Sequence, residues 1–318
     1  MRVLATAIVS SLAMPVMAGD ILLGLPIACD LETDCYIQQF VDLDTTDGIR
    51  DFTCGTLTYD THKGTDFALT SLNQQAQGVD VIASAPGTVR GVRNDMDDVL
   101  QTGPSAPDVS GRECGNGVVI SHGDGWETQY CHLAKGSVTV RSGDRVAMGQ
   151  VLGQVGLSGQ TQFPHIHLSV RKDGEVVDPF APNANTCGTS NDTLWIDVPP
   201  ISAGGIITSG FAPNVPAYDE IKQGMPDRLT QSAFQDMVLW GYAFGGLLGD
   251  TMAFDITGPE GSIFMNTVVL DRDQALWFRA GGKRAPITGW SGGTYTGTVT
   301  HMRGDQVIDT QTVTITVQ

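Results

Sequence analysis

The sequence predicts an all-β protein in two domains. Three observations carry this: glycine is abundant at 39 of 318 residues, charged side chains make up only 17%, and short apolar runs alternate with polar residues between glycine turns. A chain of solvated helices would carry about 25% charge and less glycine. The length fits two domains of about 150 residues each.

Residues 1–18 read as a cleaved export signal, in which Arg2 precedes an apolar run ending in Val16-Met17-Ala18, with small residues where a signal peptidase needs them. That run contains Pro15 and falls short of the ~20 residues of a membrane span. No later stretch approaches such a length, and no cysteine directly follows the cleavage point, which argues against a lipid anchor. Residues 19–58 form a lead-in whose amphipathic stretch, Cys35 to Val41, is expected to make a helical turn or two. The acidic run that follows begins like a calcium loop. Asp47 stands where the turn glycine belongs and Thr53 where the closing glutamate belongs, so a solvated loop is expected.

Residues 59–180 alternate short strand patterns with glycine turns: 66–69, 79–83, 87–92, 117–121, 127–133, 145–146, 150–155 and 165–170. Gly123-Asp124-Gly125 marks a hairpin between the fourth and fifth. The insertion 94–112, rich in Asp, Gly, Ser and Pro, reads as a mobile loop, and its Asp95, Asp97 and Asp98 as solvating charges. Residues 181–200 have linker composition and end in Pro199-Pro200. Residues 201–318 carry about seven further strand patterns, as in the alternation of Val313, Ile315 and Val317 with threonines, and predict a smaller β-sandwich of immunoglobulin-like type. No chemistry clusters there. His301, alone on a strand, reads as a surface or partly buried histidine.

With 18 basic against 35 acidic residues, the chain has a net charge of -17, which excludes nucleic acid as a partner. The six cysteines (Cys29, Cys35, Cys54, Cys114, Cys131 and Cys187) include no C-x-x-C pair and, in an exported chain, predict three disulfides. Of the possible pairings, Cys114 with Cys131 across the predicted hairpin is the one expected. Cys131 adjoins His132, but neighbours on a strand face opposite sides and cannot form a thiol-imidazole couple.

Four of the six histidines fall in three short segments: His62-Lys63-Gly64-Thr65-Asp66, Tyr130-Cys131-His132-Leu133 and Pro164-His165-Ile166-His167. On a strand His165 and His167 share one face while Ile166 packs inward. Gly64 permits a turn that lets His62 and Asp66 converge. Two histidines and a carboxylate around zinc, with a fourth position open to water, make a hydrolytic ligand set rather than a structural one. Such an ion lowers the pKa of water to about 7 and polarises a carbonyl. The helical H-E-x-x-H motif and the G-x-S-x-G elbow are both absent.

These segments resemble the lysostaphin and LytM type of zinc metallopeptidase, which has a duplicated hybrid motif fold and cuts peptides of bacterial peptidoglycan. The resemblance runs from about Tyr59 to Pro179. It includes Ala85-Pro86-Gly87-Thr88-Val89, Gly115-Asn116-Gly117, the stretch Gly143 to Gly153, Gly156-Leu157-Ser158-Gly159 and Val177-Asp178-Pro179. It implies an antiparallel β metallopeptidase domain in which His62, Asp66 and His167 hold Zn²⁺ and His132 and His165 form the catalytic pair. It also implies a peptidoglycan substrate, either a D-alanyl-diaminopimelate link or a glycine bridge, and a place in the bacterial periplasm or cell envelope or outside the cell. Some relatives only bind the wall or activate an amidase, but these usually lose ligands, and here the set is complete. Two positions depart from the pattern: Phe163 stands where a glycine often precedes Pro-His, and Ser169 where an acidic residue often follows H-x-H.

Overall fold

The computed structural model describes residues 20–31, 33–184, 186–188 and 192–318, so the expected export signal lies outside the described residues. No helix among them is long and apolar enough to cross a membrane.

The first half contains β1 (Cys35–Gln39), β2 (Thr65–Leu69), α1 (Leu72–Gln77), β3 (Asp80–Ile82), β4 (Gly87–Arg93) and β5 (Asn116–Gly123). It continues with β6 (Trp126–Leu133), β7 (Arg145–Val146), β8 (Val151–Gln154), β9 (His165–Lys172) and β10 (Glu175–Val176). One antiparallel sheet has the order β1-β2-β9-β6-β5-β4-β7, with β10 added beside β9, while β3 and β8 form a separate ribbon. Strand β9 shows how the sequence positions the site. Ile166, Leu168 and Val170 are buried in the core, and the alternate residues His165, His167 and Ser169 therefore share the other face. Each large apolar side chain sealed in this core contributes roughly 1.5–3 kcal/mol of burial. The β5–β6 hairpin turns at Asp124-Gly125, both at positive φ, as the sequence indicated.

Several segments differ from their sequence expectations. Cys35–Gln39 is a strand rather than a helical turn. Its Cys35 and Ile37 enter the core, the Cys29–Cys35 disulfide staples its start, and pairing to β2 satisfies its backbone. Leu23, Ile27 and Phe40 from the lead-in, and Leu194 and Trp195 from the linker-like stretch, lie in the same core. Cys54–Cys187 ties these flanks together, and Cys114–Cys131 is bonded as expected. The 94–112 insertion is irregular but anchored: Asp98 accepts bonds from the Leu157 and Lys135 amides (2.6 and 2.8 Å), and the Gln101 amide donates to Thr161 (2.8 Å). Asp98 is thus a staple rather than a solvating charge.

The second half contains β11 (Gly205–Ala212), α2 (Tyr218–Gln223), β12 (Thr230–Gln231), β13 (Met237–Gly246), β14 (Thr251–Gly258) and β15 (Gly261–Val269). Strands β16 (Gln274–Lys283), β17 (Gly293–Arg303) and β18 (Gln306–Val317) complete it. A three-stranded sheet, β11-β13-β16, faces a five-stranded one, β12-β18-β17-β14-β15. Leu239 and Trp277 from one, and Phe254, Val299 and Ile315 from the other, meet in a common core, which makes this half a β-sandwich. His301 is fully buried, not at the surface, because Asp250 lies 2.9 Å from its Nε2 and supplies the partner that burial requires.

Candidate metal centre

Strand register assembles the centre. Asp66 on β2 lies directly opposite His167 on β9, and Cys131 on β6 faces His167 from the other side. His62 precedes β2, and its Nδ1 donates to the Phe40 carbonyl at 2.6 Å. A carbonyl only accepts, so Nδ1 carries a proton, and Nε2, the nitrogen left free to ligate in the neutral ring, lies 3.3 Å from Asp66 Oδ1 and 3.2 Å from His167 Nδ1. His167 Nδ1 is 2.8 Å from the same carboxylate oxygen, and its Nε2 lies 3.0 Å from Ser169 Oγ. Ser169 thereby takes the outer position that an acidic residue often fills, and orients the ring.

The donor set fits a metal ion. One ligand atom each from His62, Asp66 and His167 lies within 4.8 Å of the other two. The 2.8–3.3 Å separations resemble the roughly 3.3 Å edges of a tetrahedron of bonds about 2.0 Å long, the usual zinc distance. Imidazole nitrogens and a buried carboxylate suit a borderline ion such as zinc better than a hard one such as calcium. No Lys or Arg pairs with Asp66 among the described residues. Burial opposes charge at both His62 and Asp66. Their mutual attraction nevertheless holds His62 above the usual histidine range, and the surrounding imidazoles hold Asp66 well below the usual carboxylate range.

Gly64 matters for space rather than for its turn. A Cβ there would come within 2.5 Å of His167 Nε2 and 2.6 Å of the Leu168 carbonyl oxygen. The glycine lets the loop bearing His62 lie against β9.

His132 and His165 stand beside this cluster. Their ring centroids are 4.6 Å apart, and His165 Nε2 is 3.6 Å from Asp66. His132 Nδ1 donates to the Ser158 carbonyl (2.8 Å) and His165 Nδ1 to the Phe163 carbonyl (2.9 Å), so both neutral rings keep Nε2 as an acceptor. Burial pushes both below the usual histidine range, His132 further, with repulsion from His165 and His167 adding to the effect. Simple alternation would send His132 inward with Tyr130. Tyr130 is indeed in the core, but His132 adopts φ +64°, and its ring comes beside His165 instead. Phe163 stacks on His165 at 4.2 Å, so that departure from the family pattern covers one face of the imidazole. All five candidate residues are therefore together. Asp66, His132 and His165 line a groove of about 640 Å³.

The Peptidase family M23 model matches residues 60–179, the span that holds all five residues. Residues 60–179 are a peptidase family M23 domain. Peptidoglycan DD-endopeptidase ShyA of Vibrio cholerae is 34% identical over 122 residues, covering 38% of this chain and 23% of that protein. Cell division protein DipM of Caulobacter vibrioides is 33% identical over 121 residues, covering 38% of this chain and 17% of that protein. The chain thus spans about a fifth of the length of these curated relatives. Among solved structures, the catalytic domain of the M23 protein EnpA from Enterococcus faecalis is 25% identical. That alignment covers 46% of this chain and 92% of the other, with a TM-score of 0.31.

Two contributors to the site were not singled out by sequence reasoning. Phe40, whose carbonyl orients His62, carries no signal because any residue offers a carbonyl. The second-half residues that reach the groove, Tyr218, Lys222 and Gln274 among them, have no motif.

Proposed function

We propose that this chain is a zinc-dependent endopeptidase, exported to the bacterial cell envelope, that hydrolyses peptide bonds of peptidoglycan. The observation that carries the proposal is the open donor cluster His62, Asp66 and His167, placed beside two neutral histidines at a groove. The similarity to the Vibrio peptidoglycan DD-endopeptidase supports the substrate class. The complete donor set favours catalysis over a wall-binding role. Three disulfides suit an oxidising compartment.

A zinc ion held by the cluster would polarise the scissile carbonyl and make water a competent nucleophile near neutral pH. The protein's own residues supply the proton handling. The Nε2 of one of the two, His132 or His165, accepts the single proton that the attacking water gives up, and that imidazolium hydrogen-bonds to the developing oxyanion or returns the proton to the leaving amine. The Ser158 and Phe163 carbonyls keep the two rings in register by holding their Nδ1 protons. The Phe163 ring over His165 excludes water from one side of the site.

The test is to purify the exported chain, measure its metal content and digest purified peptidoglycan. About one zinc per chain and new amine and carboxyl ends, both lost with a chelator, are the expected results. A zinc-loaded protein that binds peptidoglycan and releases no new ends would make it a wall-binding relative instead.

A further inference from the structure

The groove at the metal centre is not built by the M23 domain alone. Gln38, Gln160 and Phe163 line it from the first half, and Tyr218, Lys222 and Gln274 line it from the second. The second half is held there closely. Tyr36 and Leu57 pack with Ile221, Tyr242, Phe244 and Leu276 in one apolar cluster, and the Tyr36 and Phe244 rings are 4.6 Å apart. Helix α2 is braced at its far end as well: Gln223 Nε2 donates to Asn73 (2.7 Å), and Asn73 Nδ2 donates to the Gly224 carbonyl (2.9 Å). A Cβ at Gly224 would meet Ser71 Oγ at 2.7 Å.

The chemistry of the lining is specific. Five glutamines (Gln38, Gln39, Gln160, Gln162 and Gln274) offer neutral amides suited to reading peptide groups. Apart from the histidines, Lys222 is the one basic side chain among the described lining residues, in a chain of net charge -17. Phe163 stacks on His165, and Lys222 and Phe163 both border the groove and an adjoining recess. Lys222 Nζ lies 4.9 Å from the Tyr218 ring and 2.8 Å from Asp219, whose side chain is 92% exposed. An ion pair so open to water is worth little, so an incoming carboxylate can replace or share it.

We propose that the second half completes the substrate groove and that Lys222 is a specificity-determining residue that binds a free carboxylate of the substrate peptide. The inference rests on the peptidase reading and deepens it. It selects stem peptides carrying diaminopimelate or terminal D-alanine carboxylates over glycine bridges, which have no side-chain charge.

The test uses the full chain and its Lys222→Gln and Lys222→Arg variants. Substrates are a D-alanyl-diaminopimelate cross-linked peptide and its carboxamide counterpart. Calorimetric titration with the free-acid and amidated tetrapeptides measures binding separately from turnover. The wild-type preference for acid over amide is expected to fall about tenfold in Lys222→Gln, through KM rather than kcat, and to persist in Lys222→Arg. Tetrapeptide binding should show the same tenfold loss. Hydrolysis with no discrimination between acid and amide would overturn the inference and leave the peptidase reading standing, and failure of the wild-type chain to bind the free-acid peptide would also overturn it. Binding that depends on Lys222 and on the carboxylate, without hydrolysis, would uphold the groove assignment and sink the peptidase reading.

Discussion

In the sandwich half, His301 lies against Asp250, and Arg303 closes on the same carboxylate through Nε (3.0 Å) and a terminal nitrogen (2.8 Å). In the M23 half, Asp66 meets three histidines and, among the described residues, no arginine or lysine. Both halves bury histidine and aspartate at antiparallel sheets, with Asp250 just before β14 and His62 just before β2, and they differ in who supplies the positive charge. Arg303 holds Asp250 below the usual carboxylate range against the opposing effect of burial, so the charge of that carboxylate is balanced within the chain, while His301 Nδ1 stays buried without a hydrogen-bond partner. The Asp66 cluster has no such internal cation and opens on a groove, as a site for an external ion must. Buried polar side chains are numerous in the first half, whereas in the second, among the described residues, they reduce to Gln231, Asp250 and His301. A histidine beside an aspartate is thus informative only together with its remaining neighbours.

The comparison breaks most sharply at the donors. His62→Ala or Asp66→Ala should abolish zinc retention and hydrolysis together, and stoichiometric zinc kept by both variants would refute the ligand assignment. One step out, His132→Ala and His165→Ala should keep zinc near the wild-type level and lower kcat by about 10² to 10⁴. Near-full turnover with zinc bound would reduce either histidine to a packing role. On the closed side of the comparison, Asp250→Ala should leave zinc content and kcat unaltered while lowering unfolding free energy by about 2–3 kcal/mol, because His301 and Arg303 lose their shared acceptor. Chemical denaturation beside an activity assay separates the two effects.

A smaller effect tests a third buried acid. Asp178 accepts a bond from the Phe180 amide with one oxygen, while the other is buried without a hydrogen-bond partner. Burial, reinforced by nearby Asp51, pushes its pKa up to about 7. The folded state therefore favours the protonated acid, and unfolding releases that proton between the ordinary carboxylate range and about 7. The associated stability is present at low pH and is lost as pH rises through that window, with an upper bound on the order of 4 kcal/mol. Asp178→Asn should flatten the stability profile between about pH 4 and pH 8. A profile that stays as steep in the variant would assign the loss to another group.

Local pattern made most of the first half legible. Period-two alternation located the strands that carry Asp66, His132, His165 and His167, since one face of each is sealed in a core. Alternation failed where the backbone left the extended region, at His132, and where a disulfide and an edge pairing overrode helical periodicity, at Cys35–Gln39. Gly64 was visible as a motif position, but its reason, the closeness of β9, is a contact between segments about a hundred residues apart. Asp98 looked like solvation because nothing local marks the Leu157 and Lys135 amides it accepts from. Lys222 was the least legible of all. Its place at the groove depends on how Tyr36, Leu57 and Phe244 pack together, and no short window of sequence encodes that.

The Cys54–Cys187 bridge spans 133 residues and encloses all five site residues, so this whole stretch of chain is a covalent ring. A single peptide-bond cut inside the ring, for instance in the irregular 94–112 segment, opens the ring into a line without releasing a fragment. The severed parts stay joined through sulfur, and His62 remains covalently linked to His167 around the intact side. A nick thus becomes a loss of connectivity at one point rather than the loss of half the centre.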